Sequence, residues 1–83
     1  MKIALYQIAY QIGMHPTDLA RLVYDGEITG EVPGGNAQSK DAWVELHSLR
    51  NYIQWKHDQK RLEEAFYLKA IRHIDAAIRK ASR

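Results

Sequence analysis

Ile8-Ala9-Tyr10-Gln11-Ile12-Gly13-Met14-His15-Pro16-Thr17-Asp18-Leu19-Ala20-Arg21-Leu22-Val23-Tyr24-Asp25-Gly26-Glu27-Ile28 carries two helix signals separated by a turn. Upstream and into this stretch, apolar residues fall at Leu5, Ile8, Ala9, Ile12 and Met14. Steps of three and four mark one face of a short helix. Gly13 stands where that helix would end, because glycine adopts the left-handed conformation at little cost. His15-Pro16-Thr17-Asp18 is a restart signal. Proline suits the first helical position, where its missing N–H leaves no bond unmade. Asp18 in the first turn complements the positive end of the helix dipole. Leu19, Leu22 and Val23 repeat at helical spacing, and Asp25-Gly26 stops the second helix. Ala9 provides a small residue where the first helix crosses the second, and Leu19 and Leu22 point inward to set their angle. Two short helices joined by a glycine turn form a candidate helix-turn-helix.

Downstream the pattern changes. Ile28-Thr29-Gly30-Glu31-Val32 leans towards strand, and Pro33-Gly34-Gly35-Asn36 is a turn signal. Ala42, Val44 and Leu46 alternate with Trp43 and Glu45, as in a half-buried strand. The expectation is a two-stranded hairpin with the glycine-rich loop at its tip. From His47 onward there is no Gly or Pro. Leu49, Tyr52, Ile53 and Trp55 give one apolar helical face, and Leu62, Phe66, Ala70, Ile71, Ile74, Ala77, Ile78 and Ala81 give another. One long helix fits, as do two helices with a bend at about 56 to 61. Trp55 is expected in the core or an interface, and Trp43 packed on the hairpin or the C-terminal helix.

The segment from Ile8 to Ile28, continued by Val44-Glu45-Leu46-His47-Ser48-Leu49-Arg50-Asn51-Tyr52-Ile53, resembles excisionase-type and related MerR-like winged-helix proteins. The resemblance covers about residues 3 to 55 and not the tail. It implies an α+β fold: a winged helix-turn-helix with a two-stranded wing over residues 1–55, followed by a helical extension. It also implies sequence-specific binding of double-stranded DNA. The second helix would enter the major groove, and the wing would reach the minor groove or backbone. Such proteins serve as phage or mobile-element excisionases that also regulate transcription, as small repressors, and as DNA-recognition subunits of packaging terminases. The excisionase role, assisting an integrase in DNA recombination, is the leading expectation. The alternatives are a packaging subunit and a winged-helix module that docks a protein instead of DNA.

On that reading the outward residues of the recognition helix are Thr17, Asp18, Arg21 and Tyr24, with Asp25 at its end. Arg21 is the base reader, since its fork matches guanine O6 and N7. His15 and Thr17 sit at the helix start, where phosphate is favoured. Asn36, Gln38, Ser39 and Lys40 on the wing can donate to phosphates or groove acceptors, and Lys2 and Arg50 are further backbone contacts. Tyr24 suits either a sugar-phosphate edge or the rim of the small core.

Charge is unevenly divided. The whole chain of 83 residues is +2, but residues 1–55 hold four Lys/Arg against six Asp/Glu, and residues 56–83 hold eight against four. Asp18, Asp25 and Glu27 surround a single Arg on the recognition helix, where relatives often carry two or three basic residues. Phosphate contacts dominate DNA affinity, so the basic amphipathic tail (56–83) is expected to supply it, either directly or by bringing copies together. Tyr67, Ile71, Ile74, Ile78 and Ala81 form a heptad-like seam of about two heptads. It suits a helix folded back on its own domain through Leu62, Phe66 and Ile71, homodimerisation or a cooperative array on DNA, or docking of a partner, and self-association is the leading expectation.

Other classes find little support. The chain has no cysteine, which removes disulfides and thiolate metal sites and fits a cytoplasmic location. Its longest uncharged stretch, Ile3 to Thr17, is interrupted by Gln7, Gln11 and His15, short of the roughly 18 apolar residues of a membrane span. Lys2-Ile3-Ala4-Leu5 opens like a signal peptide, but no small-residue cleavage site follows. Gly34-Gly35 through Lys40 lacks the glycine directly before lysine that a phosphate-binding loop needs. His15, His47, His57 and His73 are scattered, and no catalytic triad or carboxylate pair stands out. No enzymatic activity, cofactor or small-molecule substrate is expected.

Overall fold

Residues 1–82 are described by a computed structural model. The elements run β1 (Lys2–Ala4), α1 (Leu5–Ile12), α2 (Pro16–Tyr24), β2 (Gly30–Glu31), a 3-10 turn (Pro33–Gly35), β3 (Trp43–Glu45), α3 (Leu46–Asp58) and α4 (Glu64–Ala81). The class is α+β: four helices and a small antiparallel sheet.

The first two helices form where the periodicity put them. Leu5, Ile8, Ala9 and Ile12 are the buried face of α1. Gly13 ends it at φ 79°, and its N–H and that of Met14 turn back to the carbonyls of Tyr10 and Ala9. Any side chain at that φ is strained. Pro16 opens α2, and Leu19 and Ala20 bury its inner face. After Tyr24 the amides of Asp25, Gly26 and Glu27 return to the carbonyls of Arg21, Val23 and Leu22.

The sheet differs from the expected two-stranded hairpin. β3 lies in the centre, paired with β2 (Gly30 opposite Val44) and with β1 (Ile3 opposite Val44). β1 is too short to show an alternation, and it is a strand because β3 supplies its ladder. The strand expected over residues 28–32 shrinks to two residues. Ile28 is drawn into the core, and Pro33 starts the 3-10 turn. Leu46, expected to continue a strand, is instead the first residue of α3. Glu45 causes the switch: its carboxylate accepts from the amides of His47 and Ser48 at 3.0 Å each, capping the helix.

The tail bends, giving two helices. The chain turns after Asp58, and Lys60 takes φ 58° where a glycine is usual. His57 stacks on Tyr67 at 3.7 Å between ring centres and meets Glu64 at 2.7 Å. Tyr67 donates to Gln54 at 2.7 Å, and Arg50 reaches Asp75 at 2.7 Å. These contacts hold α4 antiparallel to α3.

α4 also packs on α1, and its Ala70 and Ile74 are fully buried in the same core as Leu5, Ile8, Ile12, Val44, Leu49 and Ile53. The boundary expected after residue 55 therefore falls inside α3, and residues 64–81 complete the core of the preceding segment. The heptad-like seam faces α1 and α3, as a helix folded back on its own domain would: Tyr67, Ile71 and Ile78 are half-buried against that core, and only Ala81 is exposed. Arg83, counted in the basic tail, lies outside the described residues. Among the described residues no helix is long and apolar enough to cross a membrane.

Candidate nucleic-acid interface

Thr17, Arg21 and Tyr24 follow one another at steps of four and three, so they share one stripe of α2. All three are exposed, as is Asp18 beside them. Arg21 makes no ion pair among the described residues, although Asp18 and Asp25 are at helical spacing from it. Its guanidinium has no carboxylate partner among the described residues.

The charge of Asp25 and Glu27 is also felt at α3. The Tyr52 hydroxyl of α3 is pushed up by burial first, and then by the negative charge of Glu27 and Asp25. Glu27 lines a groove with Tyr52 of α3.

The loop after β2 is folded back onto the helices. Ala37 is buried, Tyr10 of α1 donates to Gln38 Oε1 at 3.1 Å, and a Cβ on Gly35 would stand 3.7 Å from the Tyr24 hydroxyl. The expected projecting tip is thus a pad beside α1 and the end of α2. Within it, Asn36 Oδ1 accepts from the Gln38 amide at 3.0 Å and Ser39 Oγ from the Asp41 amide at 3.1 Å. These oxygens build the loop, while the side-chain NH2 groups of Asn36 and Gln38 and the Ser39 hydroxyl proton have no acceptor among the described residues. Lys40 is exposed and has no ion pair among the described residues.

Three of the expected contact residues have partners within the chain. His15 is the N-cap of α2: its Nδ1 accepts from the Thr17 amide at 3.1 Å, and its carbonyl accepts from Asp18 and Leu19. Pro16 has no N–H, so the helix start has no free amide for a phosphate, and His15 Nδ1 is used as the cap. Lys2 lies 4.1 Å over the Trp43 ring, a cation–π contact on the sheet. Arg50 is committed to Asp75, whose hydrogen bond raises the guanidinium pKa.

Tyr10 is the surface residue that the sequence reading missed. It is 56% exposed and joins α1 to the loop. Its position off the Leu5–Ile8–Ile12 face was a visible signal, but its partner Gln38 lies 28 residues away. Trp55, expected in the core or an interface, is 47% exposed at the rim of a shallow groove with Glu27, Glu45, His47 and Tyr52.

Comparison with protein-family models, curated proteins and solved structures finds no match to this chain. Among the described residues no group of three or more His, Asp or Glu is placed to hold a metal ion.

Proposed function

We propose that this protein is a winged-helix protein that binds duplex DNA sequence-specifically, with α2 in the major groove. The observation that carries the reading is the exposed Thr17–Arg21–Tyr24 stripe, which runs into the loop holding Asn36, Gln38, Ser39 and Lys40. Arg21 reads a base edge, Thr17 and Tyr24 position the helix, and the loop donors grip the adjacent backbone. Within this reading, the resemblance favours an excisionase-type accessory factor that also regulates transcription and works beside an integrase. Because the α4 seam is occupied within the chain, several copies would meet on neighbouring DNA sites.

The test is selection of bound duplexes from a random library at near-physiological salt, with wild type and Arg21→Ala. The expected result is an enriched motif that Arg21→Ala relaxes at one position. A good bidentate base contact is worth about 1–3 kcal/mol, or roughly 5- to 150-fold in discrimination. No enrichment with either protein refutes the proposal. A second reading, docking of a protein partner, is favoured by the exposed Trp55 in the acidic groove with Glu27 and Glu45. It requires that Trp55→Ala abolish partner binding while Arg21→Ala has no effect.

A further inference from the structure

The charges of α4 are sorted by face. Its carboxylates point towards α3 and are paired there: Asp75 with Arg50 at 2.7 Å, and Glu64 with His57 at 2.7 Å. Lys69, Arg72, Arg79 and Lys80 are all exposed, and none makes an ion pair among the described residues. At 3.6 residues per turn these four cations fall within a sector of about 100°, opposite the buried Ala70 and Ile74. Lys69 to Lys80 spans about 16 Å at 1.5 Å per residue. The interior of α4 is thus electrically balanced, while its outer face carries one sign.

The position of this stripe relative to α2 matters as much as its charge. α4 lies along α1, and the Lys69 ammonium would be 3.5 Å from a Cβ on Gly13, the hinge between α1 and α2. The basic stripe therefore begins at the turn that carries the recognition helix and extends away from it for roughly three helical turns. Duplex DNA presents one phosphate per about 3.4 Å along each strand, so a stripe of that length spans several successive phosphates.

We infer that the outer face of α4 is a second DNA contact, gripping the phosphate backbone that flanks the site read by α2. This rests on the DNA-binding reading above and adds to it. Specificity resides in Arg21 and its neighbours, and most of the salt-sensitive affinity resides in α4. The acidic surroundings of α2 are then compatible with binding, since the electrostatic attraction comes from the adjoining helix.

The test is the slope of log Kd against log salt on a selected duplex, for wild type and for Lys69→Gln/Arg72→Gln/Arg79→Gln/Lys80→Gln. Glutamine keeps helix propensity, and an unchanged circular dichroism melt confirms folding. Four lost phosphate contacts should make the slope shallower by about 3.6, so that the affinity lost between 50 and 200 mM salt shrinks by roughly 100-fold. The selected motif should stay the same. Lys56→Gln/Arg61→Gln, in the last turn of α3 and the connection to α4, should leave the slope nearly unchanged. A turn variant showing half the four-residue effect would mean net charge alone is at work, and would overturn the inference. A wild-type slope in the folded four-residue variant would also overturn it, leaving the stripe to an acidic protein partner. If wild type selects no motif, the DNA-binding reading itself fails. If wild type selects an Arg21-dependent motif and the four-residue variant is unaltered, only the role of α4 fails.

Discussion

Replacing Ile74 tests whether α4 is a core element or a joint between copies. Ile74 is fully buried among residues from α1 and α3, whereas Ile78, one turn on, is only half-buried. Truncating a fully buried isoleucine to alanine removes its transfer energy and leaves a cavity, at about 2–5 kcal/mol. A domain of this length has a total stability of about 4–12 kcal/mol, so the loss is a large fraction of it. Each kcal/mol lowers Tm by about 4–8 °C at this size, and a loss of about 3 kcal/mol is a drop of about 12–24 °C. Ile78→Ala should cost about 1 kcal/mol, since less of its surface leaves water on folding. Thermal melts followed by circular dichroism, repeated over a hundredfold range of protein concentration, provide the assay. The expected outcome is a much larger drop for Ile74→Ala than for Ile78→Ala, with Tm independent of concentration. Equal drops, together with a Tm that rises with concentration, would show that the seam joins chains, because association stabilises by mass action.

Three further outcomes follow from local geometry. A Cβ on Gly30 would press on the Trp43 carbonyl oxygen and crowd Val23 and Val44, so Gly30→Ala should cost about 1–3 kcal/mol in urea denaturation; a neutral result would mean that β2 does not lie this close to β3. Burial raises the Glu45 carboxyl, but the His47 and Ser48 amides and the N-terminal ammonium outweigh it and hold its pKa below the ordinary 4.5. That stabilisation is complete above the ordinary carboxylate range and is lost as pH falls through the lowered folded value. Glu45→Gln should therefore flatten the acid limb of a stability–pH curve, and an unchanged limb would deny the cap. Tyr10→Phe removes the 3.1 Å bond to Gln38 at an exposed site, so global stability should move by less than about 0.5 kcal/mol. Amide exchange in residues 36–40 should nevertheless quicken, and unaltered exchange would mean that Tyr10 does not hold the loop.

The local features of this chain were legible because they depend on neighbours in sequence. The period of Leu5, Ile8, Ala9 and Ile12, the stop at Gly13, the restart at Pro16 and the second stop at Asp25-Gly26 all appear where backbone and side-chain sterics demand them. The exposed stripe of Thr17, Arg21 and Tyr24 was equally readable, since helical spacing alone puts these residues together. Tertiary structure decided what depends on distant partners. β1 is a strand only because β3, some forty residues later, completes its ladder. The loop is a pad because Gln38 meets Tyr10 and Ala37 is buried. His15, Lys2 and Arg50 looked like phosphate ligands by residue type, yet a cap, an aromatic ring and a carboxylate engage them first. The apolar seam of α4 fits either a second copy or its own core, and periodicity cannot distinguish the two. The α3–α4 turn supplies what periodicity lacks: by bending the chain back at Lys60 it brings Ile74 to α1 and α3, leaving a single-signed row of cations on the outside.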